Sequence, residues 1–534
     1  MYFYARLNQM KKKSILFIIT ILIISCNNSK KTKNFFSPLY GVNSSDISSN
    51  YISGSYSEDS ILVTFKTESD LKLKLIYNLD TITGSNEITY HLKKLIPKLI
   101  NIPTAIEDYS KYVNNWKAPI GEFSSFHQIK VLALKNNRIV DSSIYNYLLG
   151  LKSELKFAIV NLKVDSKTLF DDEEGCYVPG NSFNREKDQT SGNFYKFKKR
   201  KQTGKIEIFN KNEIFLKGSF PFRIHGYVTP LAPQKSLRFY IHQKNNVNTL
   251  LELDHQVDKI ILRSSFSGWG NEIFVDGWIS KICKNLNVDV MSYQPVLVYL
   301  NGEYWGIHGL RERMDLKAIS NKYKTKEKKL IDADDKGYSN KEGYGDLNSL
   351  LLEIKNNPKT NYEKIAKKFN MSSIVDWFII ELFFQNNDWP CNNTFFWKKR
   401  RGNKPWNAVL IDMDACVGNP EFNMFDYVQR DWSPALGGEL INYLLKQSEF
   451  EMLFTKRVNY LLENELSSEN LMANLIEFKK SFSPMVEEHY SRWGYKNGTK
   501  KYKKGLSVLE KFCVDRPENF KKNMDQYFKN ISNL

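Results

Sequence analysis

The stretch of sequence that decides the fold covers residues 372–418 and reads SSIVDWFIIELFFQNNDWPCNNTFFWKKRRGNKPWNAVLIDMDACVG. Its first part predicts a buried helix, because apolar residues recur at helical spacing over residues 374–383. Ser372 or Ser373 stands just before them and is a suitable N-terminal cap. After the helix, a polar run and Pro390 disfavour helical geometry and predict a loop.

Four polar side chains follow this helix in a fixed order. The loop carries Asp388 and, five residues later, Asn393, and a predicted hairpin then delivers Asp412 and Asp414. This order suits phosphoryl transfer, in which one carboxylate orients the attacking hydroxyl while an amide oxygen and a second carboxylate hold Mg2+ on the nucleotide phosphates. Spacing alone leaves a plainer interpretation open, in which Asp388 caps the helix end and the Asp-x-Asp pair lies in a solvated turn.

The same residues resemble a known signature. Asp388-Trp389-Pro390-Cys391-Asn392-Asn393, followed by an aromatic strand, Trp406 and Asp412-Met413-Asp414 before Gly418, is similar to that of the CotH (spore-coat protein H) kinase family. Four further segments are similar to family motifs and occur in family order: residues 169–180 (LFDDEEGCYVPG), 223–240 (RIHGYVTPLAPQKSLRFY), 261–263 (ILR) with Asp276, and 295–313 (PVLVYLNGEYWGIHGLRER). Five separated motifs in order are more specific than any one of them.

The resemblance implies a fold and a catalytic set. Members of this family are atypical protein kinases, so we expect an α+β kinase-like catalytic domain over residues 155–525, with a β-rich N-terminal lobe and a mainly helical C-terminal lobe. Asp388 would orient the acceptor hydroxyl, Asn393 and Asp412 would hold Mg2+, and Asp414 would be an accessory ligand. The expected reaction is transfer of the ATP γ-phosphate to a Ser or Thr hydroxyl of a protein substrate.

Lys235 and Arg238 are the expected phosphate-binding residues. Lys235 opens a predicted strand, and Arg238 follows three residues later. In the family context such a lysine pairs with the α and β phosphates, whereas position alone makes it one of many surface lysines. Asp276, on a predicted helix over residues 273–286, would anchor Lys235.

Glu312 is a third candidate for binding the nucleotide. It follows the strongest hairpin signal in the chain, Asn301-Gly302 between two apolar strands. Such a hairpin matches the last strands of a kinase N-terminal lobe, and Glu312 either binds the nucleotide or pairs with Arg313. Beyond Gly418, apolar residues recur at helical spacing and predict a mainly helical C-terminal part.

One segment departs from the family pattern. Residues 227–230 (YVTP) replace a turn that is richer in Gly, Ser and Arg in the family, and the chain has no Walker A or Gly-x-Gly-x-x-Gly motif. This departure favours the main alternative, a catalytically inactive kinase-like lipoprotein with a structural or binding role in the cell envelope. A third interpretation is a hydrolase that cleaves surface glycans through paired carboxylates.

Residues 1–26 predict a lipoprotein signal peptide. Lys11-Lys12-Lys13 precede a short apolar run, and residues 23–26 (IISC) resemble a bacterial lipobox in which Cys26 is lipidated. The apolar run is too short to span a bilayer. Residues 27–37 are polar and basic, as expected of a tether. We therefore expect a lipid anchor on Cys26 in the bacterial cell envelope, at the periplasmic or surface face of the outer membrane; a plain secretory signal is the alternative.

Residues 38–150 predict a small all-β sandwich domain. Residues 56–77 alternate apolar and polar in two runs, and residues 127–133 and 144–149 are typical of further strands. Residues 88–106 have helical spacing and are expected to form a helical insertion. Since no catalytic set occurs here, a spacer or docking role is expected.

The composition is that of a folded protein with a basic surface. Of 534 residues, 42% are hydrophobic and 14% aromatic, and the formal net charge is +18. The Lys/Arg runs are short and scattered, and no nucleic-acid-binding motif occurs, so we expect no nucleic-acid partner. A basic face would instead favour acidic substrates, nucleotide or a lipid surface. Cys391 and Cys416 both lie in candidate site motifs, and they are either a disulfide or two free thiols.

Overall fold

The structure is a computed structural model that describes residues 36–532 except residue 45 and residues 107–115, 188–190, 269–270, 335–340, 358–360 and 431–435. Strands predominate up to residue 312 and helices from residue 341 onward. The mixed α+β class, with a β-rich N-terminal part and a helical C-terminal part, is therefore confirmed. Cys26 and the expected signal peptide lie outside the described residues. Within the part that is described, no helix is both long and apolar enough to cross a membrane.

The described residues form twenty strands. Those before residue 150 are β1 (Ser37–Pro38), β2 (Ser48–Ser49), β3 (Gly54–Tyr56), β4 (Ser60–Lys66), β5 (Lys72–Tyr77), β6 (Asp80–Gly84), β7 (Glu87–Lys93), β8 (Ser125–Lys135) and β9 (Arg138–Leu149). The others are β10 (Ala158–Lys163), β11 (Gln202–Phe209), β12 (Ile214–His225), β13 (Ser236–Tyr240), β14 (Lys259–Arg263), β15 (Asp289–Val290), β16 (Gln294–Leu300), β17 (Glu303–Glu312), β18 (Leu330–Asp334), β19 (Phe395–Lys399) and β20 (Asn407–Leu410).

Fourteen α-helices are present in the same residues. They are α1 (Ser166–Phe170), α2 (Asn193–Lys196), α3 (Val247–Leu250), α4 (Val275–Ile282), α5 (Leu316–Lys322), α6 (Lys341–Asn356), α7 (Tyr362–Ala366), α8 (Met371–Phe383), α9 (Met424–Val428), α10 (Leu436–Leu444), α11 (Ser448–Glu463), α12 (Ser468–Phe482), α13 (Val486–Arg492) and α14 (Gly498–Ser532).

Seven strands of the largest sheet close into a ring. β17 pairs with both β14 and β16, and the order between these two neighbours is β14, β13, β12, β11, β10, β16. β10 and β16 run parallel, and the other neighbours run antiparallel. The hairpin predicted at Asn301-Gly302 joins β16 to β17, with both residues at positive φ, 51° and 88°. Closure leaves no free sheet edge and fixes the register of the strands that carry the site.

The strands before residue 150 surround a hydrophobic cluster of their own. β2, β4 and β7 form a small sheet, while β1, β3, β9, β8, β5 and β6 extend the large sheet beyond β17. The cluster between them includes Phe65, Leu75 and Tyr147, each less than 1% exposed. These strands lie in the range predicted for a sandwich, and the domain boundaries at 150 and 155 stay predictions.

The helical insertion expected over residues 88–106 is wrong. That stretch is occupied by β7 and a short 3-10 helix, Leu99–Asn101. Ile88 and Leu92 are both buried in β7. A spacing of four residues returns to the same face of a helix, but it also returns to the same face of a strand, so the pattern was ambiguous. Pairing with β4 decided in favour of the strand.

Helix α8 positions the candidate site and is buried on every side. All residues from 373 to 383 are buried, including two acids, Asp376 and Glu381. The predicted cap at Ser372 or Ser373 is wrong, since the N-cap is Asn370. The hydroxyl of Ser373 accepts a hydrogen bond from the backbone N–H of Ala408 at 3.0 Å. It therefore joins the helix to β20.

Candidate active site

Asp276 on α4 lies at the centre of the candidate site. Its carboxylate accepts hydrogen bonds from Nη1 of Arg311 at 2.5 Å and from the backbone N–H of Met413 at 3.3 Å. Its Oδ2 also lies 3.0 Å from Nε of Arg263. Although burial opposes ionisation, Arg311 and Arg263 lower the pKa of Asp276. An ionised carboxylate therefore links the sheet to the turn that carries Asp412.

Strand alternation brings the two arginines to one face of the sheet. Arg311 is paired with Ile261 across β17 and β14, and Arg263 lies two residues further along β14. Because alternate residues of a strand share a face, both guanidinium groups point toward α4. Leu262 and Leu310 occupy the other face and belong to the main hydrophobic core.

Three carboxylates contact the guanidinium of Arg263. Besides Asp276, its Nη2 contacts Oδ1 of Asp412 and lies 3.1 Å from Oδ2 of Asp414. Burial lowers the pKa of Arg263, whereas these three carboxylates raise it. The net effect is a rise. Burial, and then the charge of Asp412, raises the pKa of Asp414. The two predicted metal-binding acids are thus brought together.

Three more arginines belong to the same face. Arg223 and Arg238 are direct cross-strand partners, and Arg238 is in turn opposite Ile261. Nη2 of Arg238 donates to Nδ1 of His225 at 2.7 Å. Arg313 lies two residues beyond Arg311. We call Arg223, Arg238, Arg263, Arg311 and Arg313 the arginine face.

Part of the arginine face makes no direct ion pair, although the charges of Asp315, Asp334 and Asp412 act on Arg313. No ion pair joins Arg223, Arg238 or Arg313 to a described carboxylate, and the buried Nε of each has no hydrogen-bond partner among the described residues. Burial, followed by the charges of Arg313 and Arg223, lowers the pKa of Arg238 to about 10. Crowded guanidinium groups of this kind fit a bound polyanion, because phosphate oxygens accept their hydrogen bonds in pairs.

The loop that carries Asp388 contacts the turn that carries Asp412 and Asp414. Asp388 is itself exposed. Three hydrogen bonds join the two segments: Asn387 N–H to Ala415 O at 3.3 Å, Val417 N–H to Phe384 O at 2.8 Å, and Gly418 N–H to Gln385 Oε1 at 2.9 Å. The loop and the acidic turn therefore lie against one another.

Arg516 holds this region together from α14. It is fully buried, and its guanidinium donates to four backbone carbonyls at 2.8–2.9 Å: those of Leu382, Phe383, Pro420 and Phe422. Two of these carbonyls end α8, and the other two follow the acidic turn. The long C-terminal helix thus satisfies backbone groups on both sides of the site.

The residues present suit a divalent cation in part. Asp412 and Asp414 already share one cationic nitrogen. Asn393 would have to supply its amide oxygen, because its buried Nδ2, which has no hydrogen-bond partner in the described structure, is a donor and cannot bind a cation. Asn393 and Asp412 both have positive φ, 61° and 59°. No group of three or more His, Cys, Asp or Glu among the described residues is arranged to hold a metal ion. Mg2+ would therefore need phosphate oxygens and water as further ligands, as it commonly does.

Lys235 does not make its expected contact with Asp276. It is fully buried, and its Nζ donates to the carbonyls of Thr104 at 2.7 Å and Ala232 at 2.9 Å. The ammonium also lies over the rings of Tyr177 and Phe194. Burial lowers the pKa of Lys235 well below its usual range. The anchoring pair is wrong because Arg263, on the next strand, reaches Asp276 instead.

Glu312 pairs with a histidine and not with Arg313. Its Oε2 lies 2.9 Å from Nε2 of His255, and both side chains are buried. Burial raises the pKa of Glu312 despite this contact. Strand alternation sends Glu312 to the opposite face from Arg311 and Arg313. Its binding to nucleotide stays a prediction.

The arginine face was missed in the sequence, except for Arg238. Arg223 and Arg263 lie inside the quoted motifs RIHG and ILR, so their positions were visible. The available signal was a polar residue at alternate positions of otherwise apolar strands, for example Arg223 and His225 in β12. Such residues face away from the core and mark a second, polar face.

Two other expectations can be compared with the structure. No disulfide joins Cys391 and Cys416, so the disulfide hypothesis is wrong; Sγ of Cys391 instead donates to the carbonyl of Asp388 at 3.4 Å. The turn that departs from the family pattern contains a 3-10 helix, Thr229–Leu231, and Tyr227 is 63% exposed. Gly226 precedes it at φ 105°, a conformation that favours glycine.

The fold and the site define a kinase-like protein. The family model described as CotH kinase protein matches residues 222–520, which is more than half of the chain and includes every predicted catalytic, nucleotide-binding and metal-binding residue. The chain therefore belongs to the CotH kinase family.

Comparison with solved structures finds a similar chain that is described as a kinase. The chain is similar to the crystal structure of a Helicobacter pylori proinflammatory kinase, CtkA, with 11% sequence identity and a TM-score of 0.23. The similarity covers 59% of this chain and 94% of that one. No curated protein matches the chain.

Proposed function

We propose that the protein is an atypical kinase that transfers the γ-phosphate of ATP to a Ser or Thr hydroxyl of a protein substrate. The observation that carries the proposal is the position of Arg263, which joins the arginine face to Asp276, Asp412 and Asp414. Cations for the phosphates and carboxylates for a metal ion meet at this one residue. Phosphoryl transfer depends mainly on this kind of positioning and charge neutralisation.

Each group would have a separate task in transfer. Arg223, Arg238 and Arg313 would bind phosphate oxygens, since none of the three makes a direct ion pair with a described carboxylate. Asp388, exposed beside the acidic turn, would accept a hydrogen bond from the acceptor hydroxyl and orient it for attack. Asp412, Asp414 and Asn393 would hold Mg2+, which supplies charge neutralisation at the phosphates when bound.

The setting is proposed from the N-terminal sequence. Residues 23–26 support lipidation of Cys26 and attachment to a membrane of the bacterial cell envelope, with residues 27–37 as a tether. Mass spectrometry of the protein purified from membranes would detect a diacylglyceryl group on Cys26, and Cys26→Ser should release the protein. An unmodified Cys26 in membrane-purified protein would refute the anchor.

Transfer from radiolabelled ATP tests the activity. Residues 27–534 would be incubated with γ-labelled ATP, Mg2+ and a panel of protein acceptors, beside the Asp412→Ala variant. We expect labelled protein with the parent and a loss of at least about 100-fold with Asp412→Ala, since one charged metal ligand is removed. Asp80→Ala, an exposed acid in β6, is the matched control and should keep the parent's rate. Absence of transfer to any acceptor, including the protein itself, would refute the proposal.

The turn at residues 227–230 supports a second candidate, a catalytically inactive kinase-like protein of the cell envelope. The turn lacks the glycines and arginine that cover phosphates in the family pattern, and its backbone is a 3-10 helix. A thermal shift with Mg-ATP separates the two candidates, because a ligand that binds only the folded state raises its melting temperature. No shift at millimolar nucleotide would favour the inactive protein.

A further inference from the structure

Helix α8 buries a carboxylate directly beneath the Asp388 loop. Glu381 is less than 1% exposed, and both of its oxygens are acceptors: Oε1 from Trp377 Nε1 at 3.0 Å and Oε2 from Asn386 Nδ2 at 2.8 Å. Burial raises the pKa of Glu381 to about 8, against the effect of these two hydrogen bonds. Burying a carboxylate is costly unless its hydrogen bonds are made, so its neighbours are held firmly in place.

Asn386 connects Glu381 to the backbone of Asp388. It is also less than 1% exposed, and its Oδ1 accepts a hydrogen bond from the backbone N–H of Asp388 at 3.1 Å. The hydrogen bond from Nδ2 turns the NH2 end of the Asn386 amide toward Glu381, which is the orientation that an ionised carboxylate requires, because it only accepts hydrogen bonds. The oxygen end is thereby left to face Asp388. The carboxylate thus selects the one amide orientation that holds the loop.

The same amide touches the acidic turn. Nδ2 of Asn386 lies 3.5 Å from Sδ of Met413, the residue between Asp412 and Asp414. Below the loop, Trp389 is fully buried and packs edge-on against Trp377, with ring centroids 5.4 Å apart. The loop is therefore fixed at both ends of its short polar run.

We propose that Glu381 and Asn386 are positioning residues that hold Asp388 at the acceptor hydroxyl. The proposal rests on the proposed function for its catalytic consequence. Its structural content, an oriented amide that anchors the Asp388 backbone, is independent of activity. Neither residue contacts the substrate, so both act through Asp388.

Replacing the carboxylate of Glu381 by an amide, and the amide of Asn386 by a carboxylate, tests this arrangement. In Glu381→Gln, an amide donor replaces one of the two acceptors, so the Nε1–H of Trp377 or the NH2 of Asn386 loses its partner. In the second case, Asn386 turns its own donor toward the Asp388 N–H. In Asn386→Asp, two carboxylates face each other. Each single variant should lower kcat by about 100-fold, the scale expected when a catalytic group is displaced by about 1 Å. The KM for nucleotide should stay within about threefold, because the arginine face is unchanged.

The double variant should recover the arrangement. In Glu381→Gln/Asn386→Asp, the introduced amide donates to the introduced carboxylate, whose other oxygen accepts from the Asp388 N–H. We expect kcat within about tenfold of the parent, a non-additivity that only directly coupled residues produce. Glu463→Gln and Asn474→Asp, on α11 and α12, make the same chemical changes away from the loop and should leave kcat unchanged. Assays at about pH 9 keep Glu381 of the parent ionised.

Hydrogen exchange gives a readout that does not need activity. The Asp388 amide should exchange faster in each single variant and return toward the parent's rate in the double variant. If the parent transfers no phosphate, the proposed function fails, while exchange still decides the anchor. If Glu381→Gln does not fold, a double variant that folds and again protects the Asp388 amide from exchange supports the pairing of residues 381 and 386. Parent-like kcat and exchange in both single variants overturn the proposal, as does a double variant no better than either single one.

Discussion

Nε of Arg263 lies 3.0 Å from Oδ2 of Asp276, and this ion pair joins β14 to α4 at the centre of the site. The same guanidinium lies 3.1 Å from Asp414, so one side chain connects the sheet, the helix and the acidic turn. The sequence assigned the partner of Asp276 to Lys235, one strand earlier. The closed ring of strands explains the difference, since it fixes which residue of each strand faces α4.

Removing this guanidinium should disable nucleotide binding. Arg263→Gln leaves Asp412 and Asp414 without their shared cation. Asp414 is buried, and a buried carboxylate that loses its partner costs about 3–5 kcal/mol. We expect a lower free energy of unfolding and at least about tenfold weaker binding of Mg-ATP by calorimetry. Lys217→Gln, which breaks a half-exposed ion pair on β12, is the control. Parent-like affinity in Arg263→Gln would contradict the role of Arg263.

Arg238→Gln should separate binding from stability. This residue lies among like charges, and its pKa is lowered to about 10 by burial and by Arg313 and Arg223. Removing it relieves repulsion, so the free energy of unfolding should stay the same or rise. Affinity for Mg-ATP should nevertheless fall by about tenfold, because a phosphate ligand is lost. Chemical denaturation and calorimetry on one preparation measure both; a fall in stability with unchanged affinity would mean a structural role.

Asp388→Asn should stop transfer and keep the fold. The side chain is exposed, so its replacement should change the free energy of unfolding by less than about 0.5 kcal/mol. Loss of the carboxylate that orients the hydroxyl should lower kcat by about 100- to 10,000-fold. Glu463→Gln, at the end of α11, removes an exposed acid elsewhere and should have no effect. If Asp388→Asn keeps the parent's kcat, the assignment is wrong.

Lys235→Met tests whether Lys235 or the arginine face binds the phosphates. The ammonium donates to the carbonyls of Thr104 and Ala232 and is fully buried. We therefore expect Mg-ATP affinity within about twofold of the parent, against a loss of about tenfold if Lys235 binds phosphate. Calorimetry beside Arg263→Gln gives the comparison. A tenfold loss would restore the role that the family resemblance implies.

Glu272 should make stability depend on pH. Burial raises its pKa from 4.5 to about 7, so the folded state binds this proton more tightly than the unfolded state. Its contribution to stability therefore falls as pH rises from about 4.5 to about 7 and is constant above that. Glu272→Gln should match the parent near pH 4 and exceed it by about 1–3 kcal/mol at pH 8, measured by denaturant unfolding. A constant difference across this range would refute the shift.

Much of the fold could be predicted because its signals are local. The Asn301-Gly302 turn, the apolar run of α8 and the two strands that precede Asp412 all appear in the structure, since turn chemistry and apolar periodicity act within a few residues. Two errors came from signals that serve two structures equally well. Ile88 and Leu92 fit a helix or a strand, and Ser373 fits a cap or a hydrogen bond to a neighbouring strand.

The sequence by itself determined the α+β class and the order of the motifs that carry Asp388, Asp412 and Asp414, because turn chemistry and apolar periodicity are local signals. Only the tertiary structure decided that Arg263 meets Asp276, that Lys235 is enclosed by carbonyls and that Glu381 orients Asn386. These pairings depend on strand register and on the packing of α4, α8 and α14. Related contacts such as Arg263–Asp412, Lys235–Thr104 and Arg516–Phe383 join residues more than a hundred positions apart. Such contacts are set by the whole core and leave no mark in any single segment.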